Sequence, residues 1–279
     1  MPDGCAIDYF SSLLGRYAKA LVRRFLEAMG VDVFRYQVKV TRKRAERLLT
    51  TLDPPFRSAL LSMYRGEPQA GSDGQLHAID QSTRIAPSQG IWLYDLCLSM
   101  RPRATLEIGM AYGYSTLFIL AAIVKNRSGH HTAIDPFQQS DWHGIGCTHA
   151  EAVVRAAGLD GAFRLIEDRS DRSATDLARS DSAYDLIFID GNHRFDDVLV
   201  DFYLYAPLCA IGGHIALDDA LLSSVKTVVA FIRENRTDFV EVQTSEPNMR
   251  VFRRVGDDLR PHYDFHPFAV ARSRHTRGR

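Results

Sequence analysis

The side chains best suited to chemistry in this sequence gather at the ends of short apolar runs. Asp190 closes YDLIFID (184–190), with His193 three residues beyond. Asp218 closes GHIALD (213–218), and Asp219 follows it. Carboxylates there can take protons, cap helices or bind a hard cation such as Mg²⁺. An imidazole, with an unperturbed pKa of about 6.5, exchanges protons near neutrality. A further run, ATLEIG (104–109), carries Glu107 and Gly109 into Met110-Ala111-Tyr112-Gly113-Tyr114-Ser115-Thr116. The two glycines permit a tight turn and a close backbone approach to a ligand, and Ser115 or Thr116 can open the next helix. A dinucleotide fingerprint counted from Gly109 meets Ala111 and Tyr114 where glycines belong, which disfavours a nicotinamide or flavin cofactor. Asp135 closes HTAID (131–135).

These groups need a scaffold, and the sequence supplies one from about residue 103. Strand candidates at 104–109, 131–135, 163–167, 184–190 and 213–218 alternate with helical stretches near 115–125, 147–157, 173–179, 196–208 and 222–236. Such alternation predicts an α/β fold with a mostly parallel sheet, helices on both faces and ligands at the carboxyl ends of the strands. DFVEVQT and MRVFRRV, joined by SEPN, predict a C-terminal antiparallel hairpin. Upstream, Phe10, Leu14, Tyr17, Leu21 and Phe25 mark one helical face, ended at Gly30. A short helix is expected after Thr41. Another is expected after Asp53, with Pro54 and Pro55 in its first turn and Gly66 after it. EPQAGSDGQ (67–75) reads as a loop and boundary. The expected division is a helical segment over 1–75, a ligand-binding domain over 76–255 and a tail over 256–279.

Composition narrows the function classes. The 279 residues are 46% hydrophobic and 24% charged, with 34 basic residues balancing 34 acidic ones. That is a globular composition with no global case for binding nucleic acid. The longest strictly apolar run, Leu117–Val124, is far short of a membrane span. The acid-containing start, MPDGCAIDYF, lacks a secretory n-region. Cys5, Cys97, Cys147 and Cys209 form no CxxC pair, which disfavours a disulfide scaffold or cysteine zinc site and suits the cytoplasm. The basic stretch Arg42, Lys43, Arg44 and Arg47, and the tail ARSRHTRGR, lack interleaved aromatics and read as solvated surface. His130, His131, His143 and His149 show no metal spacing, and His214 lies within a strand candidate.

E-x-G-x-x-x-G after a strand resembles motif I of class I S-adenosylmethionine (SAM)-dependent methyltransferases. IDPFQQSDWHGIG (134–146), LIEDRS (165–170), FIDGNHRFDD (188–197) and GGHIALDD (212–219) then follow in family order. The resemblance spans about residues 80–255. It is similar to the small-molecule O-methyltransferase branch of bacterial natural-product pathways, related in pattern to catechol and macrolide-sugar enzymes. It implies a Rossmann-like sheet with SAM as cofactor. Glu107, Gly109, Ala111, Gly113 and Ser115 would surround the methionine part, and Asp135 would accept from the ribose hydroxyls. Phe137 and Trp142 are candidates to pack on adenine, or equally to be core or loop anchors. Asp168 and Ser170 would sit near the adenine amino group, although Asp168 replaces the usual glycine and Arg169 the usual acid. Gln89-Gly90 match a substrate- or cofactor-facing turn.

The resemblance also makes the strands ending at 190 and 218 neighbours. Asp190, beside the cofactor, would then converge with Asp218 and Asp219 on Mg²⁺. The other reading has Asp190 supporting a loop or substrate, with Asp218 or Asp219 capping a helix. His193, with Asp190, would remove the acceptor's proton. The implied reaction is methylation of a hydroxyl, less readily an amine, on a small molecule. A nucleic-acid methyltransferase and a non-catalytic scaffold binding SAM or S-adenosylhomocysteine (SAH) are the alternatives. The N-terminal helices would form a lid or a homodimer surface.

Overall fold

The computed structural model describes residues 46–180 and 182–268. The helix expected over Phe10–Phe25, the basic stretch up to Arg44 and the last arginines lie outside them. The described residues from Leu48 onward form one compact unit, which carries the fold below.

In chain order its elements are α1 (Pro54–Tyr64), β1 (Gln69–Ala70), β2 (Leu76–His77), α2 (Pro87–Met100), β3 (Ala104–Ile108), α3 (Tyr114–Asn126), β4 (His130–Ile134), α4 (Ile145–Ala156), β5 (Phe163–Ile166), α5 (Ser170–Arg179), β6 (Tyr184–Ile189), α6 (Phe195–Tyr205), β7 (Cys209–Leu217), α7 (Ser223–Asn235), β8 (Phe239–Val242) and β9 (Arg250–Arg254). Seven strands form one sheet in the order β5-β4-β3-β6-β7-β9-β8. β3 to β7 are parallel, with Glu107 opposite both Ala133 and Phe188. β9 runs antiparallel to β7 and β8, as the SEPN hairpin predicts. The chain leaves β3 toward β4 and β5, then returns to β6 on the other side. The β3 and β6 ends therefore meet at the switch point, where such sheets bind ligands.

The strands are legible because they are buried on both faces. Successive side chains along β6 alternate between two cores, as a period of two requires. Leu186 and Phe188 join the core under α1, α2, α3 and α4. Ile187 and Ile189 join the core under α5, α6 and α7 with Phe202, Tyr205 and Ile232. α3 is buried continuously from Tyr114 to Ile123, so it is a central helix without a polar face. Leu52, together with Phe56, Leu60 and Met63 of α1, belongs to the first core, which thus continues across the expected boundary at residue 75.

Three local departures have physical reasons. The expected loop 67–75 contains β1, which pairs with β2 through Gln69 opposite His77 and Ala70 opposite Leu76. α2 has no counterpart in the sequence reading. Its apolar residues fall all round the helix, but Pro87 opens it and the Gln89 side chain accepts the Ala86 N–H at 2.9 Å. β7 begins at Cys209 rather than at 213, with Gly212 at φ +87° where the register with β6 shifts. The tail turns back on α7: buried Asn235 donates from Nδ2 to His266 O at 2.9 Å and accepts the His266 N–H at 2.8 Å.

Candidate cofactor and active site

The turn after β3 is built on glycine geometry. Gly109 has φ +86°, and a Cβ there would lie 2.3 Å from the Asp190 carbonyl oxygen. Gly113, at φ +84°, faces Gly146 so closely that a Cβ would meet its Cα at 3.0 Å. Between them Ala111 adopts φ +45°, a region that disfavours L-residues. Asp135 stabilises this shape. One of its carboxylate oxygens accepts the Met110 N–H at 3.1 Å and the Ala111 N–H at 2.7 Å, and the other accepts the Phe137 N–H at 2.9 Å.

A cavity of about 740 Å³ opens at the switch point. Of the residues expected around a cofactor, Gly109, Ala111, Ser115, Asp135, Phe137, Ser170 and Asp190 line it, as do Trp142, His193 and Asp219. Gly113 shapes the turn from outside the lining. Two expectations need correction. Glu107 lies off the cavity. Strand parity sends its fully buried carboxylate beneath α3, where Oε2 accepts from Thr116 and from His131 Nε2, the latter at 3.1 Å. Asp168 also lies off it, on the surface, accepting the Arg169 N–H at 2.7 Å and facing Arg172 at 3.7 Å.

Asp201 supplies a cavity carboxylate that the sequence reading missed. It is 4% exposed, lines the cavity from α6 and accepts the Ser170 hydroxyl at 2.6 Å. Burial pushes its carboxyl up to about 6. The available signal was its position four residues after Asp197, on the same helical face.

At the β6 and β7 ends, an imidazole lies between two carboxylates. His193 Nε2 is 3.2 Å from Asp190 Oδ1 and 3.4 Å from Asp219 Oδ2. Burial pushes the Asp190 carboxyl well above the usual range, and the His193 hydrogen bond pulls partly against it. The same bond lifts the His193 pKa above 6.5. Asp218 turns the other way. It lies off the cavity and accepts the side-chain amide of buried Gln89, and burial pushes its carboxyl up to about 6. The backbone supports this split, because Asp219 sits at φ +51° with Asn248 Nδ2 donating to its Oδ1 at 2.8 Å.

The Mg²⁺ site expected from Asp190, Asp218 and Asp219 is therefore not assembled. Asp218 is committed to Gln89, and His193 occupies the space between the other two. Among the described residues no group of three or more His, Cys, Asp or Glu side chains is arranged to hold a metal ion. Gln89, expected at a ligand-facing turn, reaches the centre only through Asp218.

Comparison with known proteins agrees with this geometry. Residues 106–220 match the family model described as a methyltransferase domain. No curated protein sequence matches the chain. Among solved structures, the SAH-bound Podospora anserina methyltransferase PaMTH1 superposes with a TM-score of 0.56 at 14% identity, over 74% of this chain and 89% of that one. Cofactor-bound Rv0187 from MTB gives 0.53 at 17%, over 74% and 91%. The O-methyltransferase TomG from Streptomyces achromogenes, involved in tomaymycin synthesis and in complex with SAM, gives 0.50 at 18%, over 73% and 91%. At these identities the structural likeness speaks to the fold. The family match marks residues 106–220 as a methyltransferase domain. No helix among the described residues is long and apolar enough to cross a membrane.

Proposed function

We propose that this enzyme methylates a hydroxyl group of a small molecule, with His193 as the base. The carrying observation is the His193 imidazole at the cavity wall, between Asp190 and Asp219 and next to the glycine turn. When bound, SAM supplies a methyl group already activated on a sulfonium. What remains for the chain is to align the acceptor and take its proton. With the Nε2–H directed to the carboxylates, Nδ1 is the nitrogen left to accept that proton. Asp190 and Asp219 then stabilise the resulting imidazolium. The acceptor C–O bond forms as the methyl–sulfur bond breaks, and the products are the methyl ether, SAH and a proton held on His193. In this reading Gly109, Ala111, Ser115, Asp135, Phe137, Ser170 and Asp201 hold the cofactor.

Calorimetric titration with SAH, followed by a screen of hydroxylated acceptors in EDTA and in Mg²⁺, tests the proposal. Micromolar SAH binding and acceptor-dependent SAH formation are expected. His193→Ala should keep SAH affinity and lower kcat by about 10²- to 10⁴-fold, the usual worth of a general base. The wild-type rate should rise with pH through a midpoint above 6.5, because the base form appears as the raised His193 pKa is crossed. Turnover that requires Mg²⁺ and survives His193→Ala would overturn the base assignment. SAH binding without any product would favour a scaffold protein.

A further inference from the structure

One wall of the cavity, carrying Phe137 and Trp142, is a loop supported from outside the sheet. Its support is the strap from Gln69 to Thr83. At its base, buried Gln69 pairs its side-chain Oε1 with His149 Nε2 of α4 at 2.9 Å, and its amide nitrogen donates to Ser62 Oγ at 2.9 Å. At its tip, the Ser72 N–H donates to His143 O at 2.9 Å, and the Ser72 hydroxyl donates to Gln139 Oε1 at 2.7 Å. Beside them the rings of His77 and His143 stack, with centroids 4.0 Å apart and planes within 6°. His77 Nε2 is held by both oxygens of Asp73 at 3.0 Å.

Two features show that this contact shapes the loop. His143 and Gly144 take φ +54° and +66° in succession, and the left-handed region costs an L-residue roughly 1–2 kcal/mol. The approach is also close, since a Cβ on Gly144 would lie 2.5 Å from Ser72 Oγ and one on Gly71 2.6 Å from His143 O. Beyond the tip, the Asp80 N–H donates to Tyr112 Oη at 3.3 Å, and Tyr112 packs edge-on against Trp142 at 5.1 Å. The strap then places Ser82 and Thr83 in the cavity lining itself.

We propose that His77, His143 and Ser72 are positioning residues for cofactor binding: their contact presets the Phe137–Trp142 wall and slows cofactor release. This rests on the cavity being the cofactor site. Surface plasmon resonance of SAH on the immobilised full-length protein tests it. An aromatic pair is worth about 0.5–1.5 kcal/mol beyond its buried area, so His143→Ala should speed SAH dissociation about two- to tenfold. His143→Phe keeps a flat ring against His77 and should dissociate at the wild-type rate. His143→Gly relieves the φ +54° backbone but lacks the ring, and should behave like the alanine variant. Should His143→Ala fail to fold, Ser72→Ala, which removes only the exposed bond to Gln139, should still speed release. An unchanged dissociation rate in His143→Ala, His143→Gly and Ser72→Ala, or a lowered melting temperature without faster release, overturns the proposal and leaves the cofactor site standing. Failure of the wild type to bind SAH would instead remove the cofactor reading beneath it.

Discussion

Asp201 carries a testable burden. Its carboxyl ionises near 6 in the folded protein because it is buried, against about 3.8 when free. Between those values the folded state holds more protons than the unfolded one, so this group's contribution to stability falls as pH rises through the window and stays low above it. Asp201→Asn has no charge to bury and can still accept from Ser170. It should match the wild type near pH 4 and exceed it above pH 6, by at most about 3 kcal/mol for a shift of about two pH units. Melting curves of the ligand-free protein from pH 4 to 8 would show this, and a constant difference across pH would refute it. Residue types at the strand ends made Asp190, His193, Asp218 and Asp219 legible as a group, and the family resemblance added Asp135. They left unread where each side chain turns. Glu107 follows strand parity away from the cavity. Asp168 and Asp218 follow nearby donors, Arg169 and Gln89, and the second of these lies 129 residues away in the chain.

Among the elements, the turn after β3 tolerates little change. Gly109→Ala places a methyl group at φ +86° and 2.3 Å from the Asp190 carbonyl, so either the turn or the end of β6 must move. Strain of about 1–3 kcal/mol, placed where two loops touch, should weaken SAH binding about five- to 150-fold. Calorimetry on the folded variant measures that directly, and unchanged affinity would mean the turn is not the cofactor cradle. The central strands were readable because burial on both faces leaves apolar runs with few alternatives. α2 was not, because a helix apolar on most sides lacks the periodic face that betrays an amphipathic one. Yet α2 matters to the site. Gly90 lets it press on Phe118, since a Cβ there would lie 2.1 Å from the ring, and this aims the neighbouring Gln89 at Asp218.

The whole molecule separates what binds from what only packs. Among the described residues, none after Asp219 lines the cavity. Ending the chain after Asp264 strips the buried Asn235 amide of its His266 partners, a loss worth about 1–3 kcal/mol. The melting temperature should fall by several degrees while SAH affinity is kept, and a matching loss of affinity would contradict the separation. Apart from Ser82, Thr83 and Ile85, the described residues that line the cavity fall between Ile108 and Asp219, and the span that matches a family model is 106–220. The matched span holds most of the residues that, in the proposed reading, meet the cofactor. Ser82, Thr83 and Ile85 line the same cavity outside that span, and in the proposed reading they are where a choice among acceptors would be made.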